Sequence, residues 1–203
     1  MLDALRADIS QKIGQKRFAH ILSVEKEITV LGNRFLPEKV NMLRAAALLH
    51  DLTKEFSMSE QLDVCERYRI DLPSGIEDSP AVLHSYTAAK MIAELYSAFA
   101  YPEILIAVER HTVGHTEMSV FDKLLFIADY IEPTRKPASC KSVRAAFYLA
   151  LKESRCAKDD FLALDFAVYG ALKATISYLE CEKLPILPFS YEVYNTFKAR
   201  LLG

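Results

Sequence analysis

The stretch that decides the fold is Val40-Asn41-Met42-Leu43-Arg44-Ala45-Ala46-Ala47-Leu48-Leu49-His50-Asp51. Ala45 to Leu49 read as a buried helix, apolar on nearly every face. Such a helix delivers His50 and Asp51 into a dry interior, where polar groups without partners are costly. A neutral imidazole and a carboxylate are both good ligands for zinc, iron or manganese, and a carboxylate can bridge two ions. Lys54 follows close enough on a helical turn to share their face.

Working outward, the chain keeps the same texture. Only six glycines in 203 residues, abundant Ala and Leu, and recurrent 3.6-type spacing predict an all-α protein. Upstream, the pattern predicts a short helix over 2–13, closed by Gly14, and a longer one over 16–33. The latter has an apolar stripe of Phe18, Ile21, Leu22, Val24, Ile28 and Leu31, with His20 within its arc and Arg17 one turn earlier. Pro37-Glu38 opens the helix of His50-Asp51. Downstream, Ser57 or Ser59 caps a helix to about Arg69, and 71–80 is a loop by composition. A helix over 81–99 carries His84 in its first turn. Pro102 starts another that ends in His111-Thr112-Val113-Gly114-His115, where Gly114 argues for a turn. Residues 122–131 form an apolar helix with Asp129 set deep in it. Helices follow near 140–151, 158–181 and after Pro188. The stripe Phe161, Leu164, Val168, Leu172, Ile176 and Leu179 reads as core packing.

The length suits one domain over 1–203, with a core over about 16–135 and a helical part over about 140–203 packed on it. A net charge of −2 carries no global basic footprint for nucleic acid. The apolar runs read as too short to span a membrane, and the acidic N-terminus does not read as a signal peptide. Cys65, Cys140, Cys156 and Cys181 lie far apart, as reduced cysteines of a cytoplasmic protein do.

All five histidines fall within the first 115 residues. Taken singly, His20 is as readily a core histidine bonded to backbone, and Asp129 a capping or paired acid. As a set, His20, His50, His84 and His111 with Asp51 and Asp129 can be brought together by a helical bundle. Their separations are too long for a local zinc finger.

The order His20, His50-Asp51, His84, His111, Asp129 resembles the HD-domain superfamily of metal-dependent phosphohydrolases. Arg17-Phe18-Ala19-His20, Leu49-His50-Asp51-Leu52-Thr53-Lys54, Leu83-His84-Ser85, His111-Thr112-Val113-Gly114 and Ile127-Ala128-Asp129-Tyr130-Ile131-Glu132-Pro133-Thr134-Arg135 are similar to its YqeK-type branch. Thr175-Ile176-Ser177-Tyr178-Leu179 and Tyr194-Asn195 extend the similarity over nearly the whole chain. That branch is known as bis(5′-nucleosyl)-tetraphosphatase (symmetrical), which splits diadenosine tetraphosphate into two ADP. The resemblance implies an HD-domain helical bundle with its metal site in the interior. His20, His50, Asp51 and Asp129 would hold one metal, and His84 and His111 the second, with Asp51 bridging. Two transition-metal ions are implied, iron by family analogy, with manganese and zinc as alternatives. Lys54 and Arg135 would neutralise the transferring phosphoryl group beside Asp51, and Arg17 is a weaker candidate. The implied partner is a dinucleoside polyphosphate, with no nucleic acid and no membrane; a homodimer stays open.

Two features depart from the branch: His115, and Lys136-Pro137-Ala138-Ser139 in place of a phenylalanine-proline-glycine wording. Two other readings compete. One is an HD phosphohydrolase of nucleoside monophosphates or cyclic nucleotides; the other is a non-catalytic HD module, against which stands the full set of expected ligands.

Overall fold

Gly14, Pro37, Pro80, Pro102, Gly114, Pro133 and Pro188 stand at or beside helix ends in a chain that otherwise favours helix throughout. The computed structural model describes residues 1–203, the side chain of Glu77 excepted. Among the described residues there are ten α-helices and no strand: α1 Leu2–Lys12, α2 Gln15–Phe35, α3 Val40–Leu49, α4 Met58–Tyr68, α5 Leu83–Leu95, α6 Pro102–Arg110, α7 Val120–Ile131, α8 Ala138–Glu153, α9 Ala157–Cys181 and α10 Pro188–Leu202. The all-α expectation holds.

The centre of the bundle is α3 with α2, α6 and α7 packed around it. Leu43, Ala46, Ala47, Leu48 and Leu49 are fully buried, as are Leu124, Leu125, Ile127 and Ala128 of α7. Each such leucine contributes roughly 1.5–3 kcal/mol through removal from water. The close approach of α2 to α3 depends on Gly32, where a Cβ would come within 2.9 Å of Leu43 Cδ1. On the far side, α9 packs on α7 and α8, and α10 packs on α9.

Local chemistry sets the ends. Ser57 and Glu60 form a reciprocal capping box that starts α4, and Ser119 with Asp122 does the same for α7. Asp122 therefore sits inside the first turn of α7 rather than at its start. The helix expected over 81–99 is shorter. It is flanked by 3-10 turns at Pro80–Val82 and Ser97–Phe99, with the helix dihedrals abandoned at Tyr96.

Two expectations for α9 need correction. Phe161 is 41% exposed and Leu179 only half-buried. The rest of the expected stripe, Leu164, Val168, Leu172 and Ile176, is buried, and Ala163, Ala167 and Ala171 join it on the packed face, where small residues let the neighbouring helices approach. The apolar surface of α9 is thus wider than its buried face. From Phe161 to Leu179 only Asp165 and Lys173 carry charge, so α9 is long and apolar enough to cross a bilayer by length and composition, contrary to the sequence reading.

Candidate metal centre

Five separate segments deliver the site. α3 ends at Leu49, and His50 and Asp51 occupy the turn just beyond it, 0% and 3% exposed. His20 comes from α2, His84 from the first turn of α5, His111 from the end of α6 and Asp129 from α7. All six side chains converge.

The ligand atoms form two poles. At the first, His20 Nε2 lies 2.9 Å from Asp129 Oδ1 and 3.7 Å from Asp51 Oδ2, and His50 Nε2 lies 3.4 Å from Asp51 Oδ2. At the second, His84 Nε2 and His111 Nε2 lie 3.3 and 3.7 Å from Asp51 Oδ1 and 3.1 Å from one another. Asp51 thus gives one oxygen to each pole.

The same local device orients three of the four imidazoles. His50, His84 and His111 each donate Nδ1–H to the carbonyl three residues earlier, of Ala47, Ala81 and Val108, at 2.7, 2.9 and 2.6 Å. His20 donates Nδ1–H to Glu132 Oε1 at 3.1 Å. These tautomers are assigned from the hydrogen-bond partners, and they leave every Nε2 as a lone pair facing inward.

That arrangement is unfavourable without a cation. His20 Nε2 and His50 Nε2 are buried with no hydrogen-bond partner. The Nε2 atoms of His84 and His111 face each other lone pair to lone pair. Imidazole and carboxylate donors grouped this way fit a transition-metal ion at each pole, with iron, manganese and zinc all compatible. The triads His20–His50–Asp129 and His50–Asp51–His111 each place their ligand atoms within 4.8 Å of one another.

Electrostatics favour the ligating forms of His84, Asp51 and Asp129, whereas Asp51 outweighs burial and raises His50. Burial pushes His84 down to about 4, so its imidazole is neutral. Burial acts to raise Asp51 and Asp129. For Asp51 the neighbouring imidazoles, His50 foremost, outweigh burial, and for Asp129 the charge of Arg135 does; both carboxyls stay well below their usual range. Arg17 Nη1 lies 2.7 Å from Asp51 Oδ2, and Arg135 Nη2 lies 2.6 Å from Asp129 Oδ1. Burial lowers the Lys54 ammonium, and Asp51 draws it part of the way back. Lys54 Nζ sits 3.2 Å from the Ala81 carbonyl, beside His84.

The poles open into a cavity of about 200 Å³ whose walls include Arg17, Lys54, Thr112, Tyr130, Arg135 and Thr175. Beyond Arg17 and Arg135 it adjoins a basic cavity of about 530 Å³ bounded by Lys16 and Lys136. Beyond Lys54 and His84 it adjoins one of about 390 Å³.

The HD domain family matches residues 17–134, more than half the chain, and this span encloses every ligand named above. The chain belongs to the HD domain family. Among its relatives, a symmetrical bis(5′-nucleosyl)-tetraphosphatase of Bacillus subtilis is 25% identical over 190 residues, covering 93% of each chain. A protein of the same name from Staphylococcus aureus is 28% identical over 172 residues, covering 83% of this chain and 80% of its own. The crystal structure of a predicted HD superfamily hydrolase involved in NAD metabolism from Clostridium acetobutylicum superposes with a TM-score of 0.82. It shares 23% identity and covers 98% of both chains, a likeness of fold.

Within this HD core the sequence reading missed Glu132, which is 1% exposed and holds His20 from behind. Its sequence cues are its place three residues after Asp129 and within the Ile127–Arg135 motif. Arg17, rated below Lys54 and Arg135, makes the direct contact to Asp51. His115 stands apart: Gly114 adopts a φ of +78°, turning the chain away, and His115 Nδ1 accepts the Glu117 N–H with its ring 5.5 Å from Phe189.

Proposed function

We propose that this HD-domain protein hydrolyses diadenosine tetraphosphate symmetrically to two ADP. Two transition-metal ions, iron before manganese or zinc, would be held by His20, His50, Asp51 and Asp129 at one pole and by Asp51, His84 and His111 at the other. The observation that carries the reading is the similarity, over 83–93% of this chain, to two proteins named for that activity. The two-pole donor set shared through Asp51 supports it independently, because a phosphoanhydride needs both nucleophile activation and charge neutralisation.

When bound, the ions supply an acidified water and neutralise the attacking and leaving oxygens. The protein's own contributions are positional and electrostatic. Asp51 spans both poles and fixes their separation. The Nδ1–H bonds to Ala47, Ala81, Val108 and Glu132 lock four imidazoles before substrate arrives, so little reorganisation is left for the reaction. Lys54, Arg135 and Arg17 ring the cavity mouth and take the non-bridging phosphoryl oxygens as charge builds on them. The leaving group is itself a phosphate, whose second pKa is about 6, so it departs at neutral pH without a proton from the protein.

In this reading residues 1–203 work as one domain in the cytoplasm, on a dinucleoside polyphosphate rather than a nucleic acid or a membrane. Separation of the products at early time points tests it, and ADP alone is expected. ATP and AMP in equal amounts would refute symmetrical cleavage. Hydrolysis confined to nucleoside monophosphates or cyclic nucleotides would point to the other phosphohydrolase reading, and metal-loaded protein inert to all of these to a non-catalytic module.

A further inference from the structure

The two cavities flanking the metal centre differ in chemistry. The one beyond Arg17 and Arg135 is rimmed by Lys16 and Lys136. The one beyond Lys54 and His84 is walled by Phe56, Met58, Gln61, Pro80 and Ala81, and among the described side chains that line it none is acidic and only Lys54 is a lysine or arginine. Met58 stands 45% exposed beside the site, on the first turn of α4. An apolar cavity of about 390 Å³ adjoining a phosphate-binding centre lies within the usual range for small-molecule pockets.

The wall is rigidly mounted. Phe56 N–H donates to the Thr53 carbonyl at 3.1 Å, and Thr53 Oγ1 donates to the His84 carbonyl at 2.9 Å. Gln61 Nε2 ties the same Thr53 carbonyl at 2.6 Å while its Oε1 accepts from Thr87. The turn that carries Asp51 and Lys54 therefore also anchors the backbone of Phe56, and successive residues divide the labour. Lys54 faces the metal centre, Glu55 borders the basic cavity and Phe56 the apolar one.

We propose that the cavity between Phe56 and Met58 is a nucleobase-stacking subsite, holding one nucleoside end of the substrate while the basic cavity takes the polyphosphate of the other. The inference deepens the nucleotide reading above and rests on it. A phenyl ring and a polarisable thioether recognise the flat face of a base rather than its edge. The subsite accordingly accepts either purine and favours purines over pyrimidines, whose smaller faces stack less.

Calorimetric binding of ADP and of inorganic pyrophosphate to the metal-loaded protein tests this. Phe56→Ala is expected to weaken ADP about tenfold, the lower part of the range for one lost base–aromatic stack. Pyrophosphate, which has no base, should bind within about twofold of the parent value. Phe56→Tyr, which keeps the ring and guards against misfolding, should bind ADP like the parent. Unchanged ADP affinity in a folded Phe56→Ala protein would overturn the proposal, as would equal weakening of both ligands. A Phe56-dependent loss specific to ADP, in a protein that does not cut diadenosine tetraphosphate into ADP, would uphold the subsite and remove the symmetrical reaction instead.

Discussion

Glu132 offers the sharpest test of how the metal centre is held. Its carboxylate touches no proposed ligand position directly except through His20, whose Nδ1–H it accepts at 3.1 Å; Thr134 N–H and Oγ1–H, each at 2.6 Å, fix the carboxylate in turn. In Glu132→Ala the His20 proton loses its acceptor. It can then move to Nε2, which lies 2.9 Å from Asp129 Oδ1. The resulting imidazole–carboxylate hydrogen bond would compete with the ion for both ligands of the first pole. Loss of such an outer partner costs about 10–100-fold in metal affinity, or roughly 1.4–2.7 kcal/mol. The second pole uses His84 and His111, anchored on backbone carbonyls, and should keep its affinity. Glu132→Gln should fall between, because its amide oxygen still accepts from His20 while its NH₂ meets the Thr134 donors. Competition titration against a coloured chelator resolves the two poles, with thermal melting as the control for folding. A folded Glu132→Ala protein that binds both ions as tightly as the parent would refute the reasoning. Equal loss at both poles would show that Glu132 acts through general stability rather than through His20.

Other outcomes follow from the same geometry. Lys54→Ala should keep metal content and melting temperature but lower turnover at least about a hundredfold, in the range for one electrostatic donor to the transition state; loss of metal would make Lys54 structural. His84→Ala should empty the second pole alone, whereas Asp51→Asn should weaken both, and elemental analysis of each variant separates the two patterns. Ser57→Ala removes half of a capping box and none of the proposed ligands, so it should cost about 1 kcal/mol and lower the melting temperature by about 2–4 °C without changing metal content.

Much of the architecture was legible along the chain. The run Ala45 to Leu49 reads as a buried helix because it is alanine and leucine with no β-branched residue, a composition that favours helix over a buried strand, and the all-α pattern around it follows from period and from scarce glycine. The six candidate ligands were legible as well, since histidines and acids on apolar faces are conspicuous, and His50, His84 and His111 orient themselves through carbonyls only three residues away. The stripe read along α9 holds at Leu164, Val168, Leu172 and Ile176 and fails at its ends, where Phe161 is 41% exposed and Leu179 half-buried, because the apolar surface of the helix is wider than the face its neighbours cover.

What only the tertiary structure decided is how distant groups share atoms. Glu132 behind His20 is a contact across 112 residues, and Arg17 on Asp51 one across 34. The division of Asp51 between two poles depends on where α2, α5, α6 and α7 meet the end of α3. Local sequence determines a side chain's chemistry and its nearest backbone partner, because those lie within one helical turn. Which oxygen faces which imidazole is set by helix packing, where displacements of a few ångströms reassign every partner.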